Sequence, residues 1–111
     1  MNERLAAARA WVDKKPTDKF GLYTLAMELR KESDWPACFA AFDALLVHHP
    51  DYGAAYYHYA VAARASGDRE RALALLARGS EACARSGDPK TAGEIESLAA
   101  SFRDEDDEED A

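Results

Sequence analysis

The chain has 111 residues and is 48% hydrophobic, enough for one small domain with a continuous core if its elements stack closely. Its formal charge of −7 is concentrated in residues 104–110 (DEDDEED), which hold seven carboxylates and no base, leaving 14 acids to balance the 14 Lys and Arg. A neutral body with an acidic end lacks the basic footprint of a nucleic-acid binder, and no run approaches the roughly 18 apolar residues of a membrane span.

Taken in order, the first helix is expected over residues 2–15, with Asn2 as N-cap and Leu5, Ala8, Trp11 and Val12 on one face. Pro16 ends it. Thr17 or Asp18 caps a second helix with the stripe Leu22, Leu25, Ala26 and Leu29, closing near Lys31 or Glu32. Ser33-Asp34 turns the chain, and Trp35-Pro36 opens a third helix carrying Cys38, Phe39, Phe42, Leu45 and Leu46, stopped by His48-His49-Pro50. Asp51 or Tyr52 leads into a fourth, with Tyr56, Tyr59, Ala60 and Ala63. Ser66-Gly67-Asp68 suits a left-handed C′ residue followed by a new N-cap. The fifth runs from Arg69 to about Ala84 with Ala72, Leu73, Leu75 and Leu76 facing inward. Asp88-Pro89 starts a sixth, carrying Ala92, Ile95, Leu98, Ala99 and Phe102. Leu25, Leu29, Phe42, Tyr59, Leu73 and Leu76 are the expected centre of the core. Residues 104–111 are expected to be a disordered acidic tail, because like charges repel and nothing apolar is available to bury.

A 34-residue period runs through this series. It relates Pro16 to Pro50, Tyr23 to Tyr57, Ala26 to Ala60, Arg30 to Arg64, Asp34 to Asp68 and Ala40 to Ala74. Such a period is the mark of stacked helical hairpins. Residues 5–12 fall one period before 39–46, so helix one reads as the second half of a hairpin, and the last helix as a first half shifted by about two residues. The expected organisation is an all-α domain over 1–103: a half-repeat at 2–15, repeats at 18–50 and 52–85, and a capping helix at 88–103. Terminal units of this kind cover the apolar faces that stacking leaves at each end.

These spacings resemble the tetratricopeptide repeat (TPR), as found in small bacterial proteins: W-x2-L-G-x2-Y, then A-x3-F, then P. The first unit matches with Leu22, Leu25, Ala26, Leu29, Cys38, Phe42 and Pro50, the second with Tyr56, Tyr59, Ala60, Ala63, Ala72 and Leu76. The resemblance covers about residues 2–102 and implies a right-handed superhelix whose first helices line a concave, peptide-binding groove. By position that groove would hold Phe20, Tyr23, Thr24, Met27, Arg30 and Lys31, then Ala54, Tyr57, His58, Val61, Arg64 and Ala65. Helical geometry supports the division, since Tyr23-Met27-Arg30 and Tyr57-Val61-Arg64 follow an i, i+4, i+7 track beside the core stripe. The same side chains also suit plain helix packing, with Arg30 and Arg64 as helix C-terminal charges. Chaperone-binding members of the family clamp a terminal carboxylate with lysine and asparagine; Tyr23, Met27 and His58 stand at those positions here, which speaks against that specificity.

The function expected is therefore a non-enzymatic adaptor that binds a segment of a protein partner. The alternatives are a weakly self-associating scaffold, built through Trp11 at one end and Phe102 at the other, and an accessory subunit acting through its acidic tail. No catalytic arrangement or phosphate loop is visible, and neither cofactor nor metal is expected; adjacent His48 and His49 point to different sides. Cys38 and Cys83 are read as small buried helix residues, without a disulfide. The N-terminus has an early Glu and no apolar segment before a cleavage site, so the expected compartment is the cytoplasm.

Overall fold

A computed structural model describes residues 2–110, with the side chains of residues 2–105. Six helices and no strand occur among the described residues: α1 (Glu3–Lys14), α2 (Lys19–Lys31), α3 (Trp35–His48), α4 (Gly53–Ala65), α5 (Arg69–Ser86) and α6 (Pro89–Asp110). The boundaries follow local chemistry. Asn2, Asp18, Asp34, Asp68 and Asp88 each accept a hydrogen bond from the backbone N–H three residues on, satisfying donors that a helix start leaves unpaired. Tyr52 occupies the same place before α4 without a side-chain cap.

The turns repeat as closely as the helices. After α2, Asp34 N bonds to Leu29 O and Ser33 N to Arg30 O; after α4, Asp68 N bonds to Ala63 O and Gly67 N to Arg64 O. Ser33 and Gly67, one period apart, are both left-handed (φ 56° and 90°). This double bond closes the carbonyls of a helix end and favours glycine at the left-handed residue. Ser33 holds that conformation despite its Cβ.

α2 pairs with α3 and α4 with α5 as hairpins; α1 packs on α2, α3 on α4 and α5 on α6, and α4 also touches α6. The molecule measures 49 × 33 × 18 Å. The shortest dimension accommodates about two helices of 10–12 Å diameter, so this is a two-layer stack. Ala26, Ala60, Ala63, Ala72 and Cys38 are fully buried, and their small side chains let the helices approach. The Cys38 thiol donates to Ala26 O across the first hairpin at 3.4 Å, and burial pushes its pKa up to about 11.

Tyr59 ties three helices together. Its ring stacks on Phe42 of α3 at 4.9 Å, nearly parallel. Its hydroxyl donates to Asp43 Oδ1 at 2.8 Å and accepts from Arg71 Nη1 at 2.8 Å. Arg71 also covers the Phe39 ring at 4.6 Å. Tyr56 Oη donates to Pro50 O, and Arg85 binds both Asp51 and Pro50 O, fixing the α3–α4 connection against the end of α5.

Three expectations need correction. Leu73 is 40% exposed and Leu25 only partly buried, whereas Leu75, expected to face inward beside Leu73, is buried. The buried set of α5 is Ala72, Leu75, Leu76, Gly79, Ala82 and Cys83, a strict i, i+3, i+4, i+7 stripe that leaves Leu73 on its flank. The third concerns the acidic end. The last helix does not stop at residue 103 but runs to Asp110. Extending an existing helix adds one backbone bond for each residue fixed, whereas nucleating one is costly. Phe102 is buried and Glu105 pairs with Arg64, anchoring the segment where the acidic run begins. Ala111 and the side chains of 106–110 lie outside the described residues.

Phe42 is fully buried against Tyr59. Phe42→Ala is expected to cost about 3–5 kcal/mol, measured from the midpoint and slope of urea unfolding.

Candidate functional site

Tyr23, Met27 and Arg30 leave α2 on the same side on which Tyr57, His58 and Val61 leave α4, and all six are partly buried. The connection between them is direct. The His58 ring meets Tyr23 edge-on at 5.6 Å and Tyr57 at 5.1 Å, and Tyr23 lies 6.0 Å from Tyr52 at the start of α4. Lys19 caps this aromatic row, its ammonium 4.4 Å from the centre of the Tyr52 ring. α6 closes the other side. A cleft of about 640 Å³ separates α4 from α6 and is lined by Tyr57, Lys90, Gly93, Glu94, Ser97, Leu98 and Ser101.

His58 sits where the three helices converge. Its Nδ1 is buried and has no hydrogen-bond partner, a state that costs roughly 1–3 kcal/mol unless something supplies a donor or acceptor. Burial holds its pKa below the usual histidine value; the positive charge of Arg30 lowers it further, and Glu94 of α6 partly offsets both. The imidazole is therefore neutral at neutral pH. Burial raises the Tyr23 phenol, with Arg30 opposing, and likewise the Tyr52 phenol. The result is a neutral aromatic strip with one unsatisfied ring nitrogen, bordered by Arg30 on one side and Lys90 and Glu94 on the other.

The other expected positions go elsewhere. Phe20 and Thr24 line a separate cleft between α1 and α2. Lys31 is exposed and pairs with Glu28 at 3.2 Å. Arg64 is held by α6: it donates to Ser101 Oγ at 2.9 Å, pairs with the Glu105 carboxylate, and lies 4.6 Å from the centre of the Phe102 ring. Ala54 is partly buried and Ala65 exposed.

The α6 residues are the ones that sequence reasoning missed. Their signal was present: α6 begins 36 residues after α4, and that offset carries Tyr57, His58 and Val61 onto Gly93, Glu94 and Ser97. Both cysteines are free and buried, and no group of metal-ligating side chains occurs among the described residues. His49 Nε2 donates to Thr17 O at 2.7 Å, joining the end of α3 to the α1–α2 turn. No helix among the described residues is long and apolar enough to cross a membrane.

Compared with protein-family models, with curated proteins and with solved structures, the chain shows no significant match to any.

Two outcomes are expected of this geometry. Unfolded His58 takes up a proton at its ordinary pKa near 6.5, while the folded side chain resists it. Below pH 6.5 the unfolded state thus binds more protons, and stability falls as pH drops until the folded pKa is passed. His58→Phe is expected to flatten that part of the curve in urea unfolding measured across pH. Arg64→Ala is expected to loosen α6 beyond Leu98, seen as faster amide hydrogen exchange there with α2–α5 unchanged.

Proposed function

We propose that this chain is a protein-interaction module of the tetratricopeptide type, which binds an extended or helical segment of a protein partner along the α2–α4–α6 face. The observation that carries this reading is the buried, unpartnered Nδ1 of His58 among Tyr23, Tyr57 and Met27. A backbone N–H or C=O of a bound segment would satisfy it once the Tyr23 or Tyr57 ring turns aside, and the tyrosines and methionine would hold an apolar side chain beside it. Aromatic residues and arginine are the usual anchors of interface energy. In this reading the first helices of successive hairpins form the concave side of a superhelix, with α6 as a third, incomplete unit.

Arg30 and Lys90 suit carboxylates of the segment, and Glu94 a basic residue. Arg64 acts through α6, whose position it fixes. The all-helical hairpin architecture supports a binding role, because stacked hairpins offer an extended surface shaped by rigid elements. The proposed role is binding without catalysis or cofactor, in the cytoplasm.

The test is selection of binders from a displayed random peptide library, followed by backbone NMR of the labelled protein with the selected peptides. Shifts should concentrate at Tyr23, Met27, Tyr57, His58 and Glu94. Tyr57→Ala and His58→Ala should weaken binding about tenfold or more with circular dichroism unchanged. Peptides that map to the opposite face, or binding retained in both variants, would overturn the proposal.

A further inference from the structure

The cleft between α1 and α2 is open at the end of the stack, lined by Arg4, Ala7, Trp11, Phe20 and Thr24, with Glu28 at its floor. Trp11 is 47% and Phe20 68% exposed, two of the four large hydrophobic side chains left in solvent among the described residues. The indole is not loose: Trp11 Nε1 donates to Asp18 Oδ2 at 3.0 Å, and its ring lies against Gly21.

Elsewhere in the molecule the corresponding surface is covered by a helix. Arg4, Ala8 and Trp11 stand one period before Cys38, Phe42 and Leu45, and two before Ala72, Leu76 and Gly79. The later six are all buried. The helix that covers α3 is α2, through Cys38 against Ala26. The helix that covers α5 is α4, through Gly79 against Tyr56. Among the described residues nothing lies in that place over α1.

At the opposite end, α6 is a first helix without a second. One side packs on α5 and α4; the other presents Ala92, partly buried, and Glu96, exposed. Because α6 begins 36 residues after α4, Ala92 occupies the position of Leu22 and Tyr56, and Glu96 that of Ala26 and Ala60.

We propose that α6 of one copy of this chain docks in the α1–α2 cleft of the next, so that the two half-hairpins complete one another head to tail. The register sets Ala92 against Trp11 and Glu96 opposite Arg4. Both pairings are complementary. At the first, Tyr56 meets Gly79 in the second hairpin, and the same register one period earlier pairs Leu22 with Leu45, so the small Ala92 is the partner that a large Trp11 needs. At the second, a small–small crossing is replaced by a carboxylate and a guanidinium. Glu96 is otherwise engaged only weakly, 3.7 Å from Arg103 with both side chains largely exposed.

The ends are also opposite in charge. Residues 2–15 carry four basic and two acidic residues, whereas residues 89–110 carry nine carboxylates and two bases. Such an interface is heterologous, and each addition leaves both ends free, so it propagates unless it closes into a ring. This proposal stands apart from the peptide-binding reading and survives its failure.

Sedimentation velocity across a concentration series at low salt tests it. The wild type is expected to show a mass-average that grows with concentration. Arg4→Glu or Glu96→Arg alone places like charges opposite each other and should lower the association constant about tenfold. Two restorations are expected: the double variant Arg4→Glu/Glu96→Arg should associate again, and so should an equimolar mixture of the two single variants, which can only alternate. All three positions tested are on exposed side chains, and circular dichroism confirms that each variant is folded. Phe20→Ser should weaken association without a change of charge. A monomer at every concentration, single variants that associate like the wild type, or a double variant that stays as weak as the singles would each overturn the proposal.

Discussion

The structure depends on burying Tyr59 at the meeting of α3, α4 and α5. Its ring stacks on Phe42, and because the side chain is almost wholly buried its hydroxyl must then find partners within the protein. Asp43 and Arg71 supply them from the two neighbouring helices. Burial first, and then the bond to Asp43, push the phenol up to about 12, so it remains a neutral donor throughout the physiological range. A buried hydroxyl without these bonds would cost roughly 1–3 kcal/mol. The requirement fixes the rotation of α4 about its axis, because Tyr59 cannot reach both partners otherwise. That rotation in turn decides which side chains of α4 face away from α5. Tyr57, His58 and Val61 owe their position on the α2–α4–α6 face to it.

The repeated parts of the fold were legible because they rest on local rules. Aspartates before helices, Pro16 and Pro50 after them, and the left-handed residues after α2 and α4 recur at the period that the apolar stripes follow. Leu73 was misread because the five consecutive apolar residues from Ala72 to Leu76 cannot all face inward on a helix turning 100° per residue; the choice falls to the neighbours, and Gly79 with Tyr56 selects Leu75. The end of α6 was misread because charge patterning alone registers repulsion. The partners that oppose it, Arg64 and the burial of Phe102, come from elements distant in sequence. For the site, the track of Tyr23, Met27 and Arg30 was readable from spacing. Phe20 and Thr24 lie one step round the same helix, and only the presence of α1 shows that they face a different cleft. The role of Arg64 was hidden for the same reason, since nothing local announces Ser101 or Glu105 as its partners.

The two ends are built on different principles. α6 turns Glu96 and Arg103 outward, the polar finish that an array of hairpins needs in order to stop. α1 leaves Trp11 beside Phe20, an apolar finish only partly softened by Lys15, whose ammonium lies 5.1 Å from the centre of the indole ring. An exposed apolar patch at one end with a charged surface at the other is an asymmetry that packing within one molecule does not require. Scattered exposed apolar residues are ordinary; a paired Trp and Phe over an open cleft is a local concentration.

If copies join through these ends, the two proposals acquire a common geometry. The helix beyond α6 on the binding face would be α2 of the next copy, bringing Tyr23, Met27 and Arg30 beside Gly93, Glu94 and Ser97. The strip that ends at α6 in one molecule would then continue without a break, with the same spacing between first helices that separates α4 from α6. A short array of this kind would gain affinity for a ligand with repeated or extended anchors, because each added site is filled at high effective concentration. The interface itself would stay modest. It joins a half-hairpin to a half-hairpin, and the polar outer face of α6 must be desolvated on docking, offsetting part of what Trp11 and Phe20 contribute. Electrostatic attraction between a basic first helix and an acidic last one then sets the direction of approach, and a rise in ionic strength weakens it over distances beyond about 10 Å. Assembly governed in this way would respond to salt and concentration while leaving the fold of each copy, which depends on Tyr59 and the hairpins around it, unchanged.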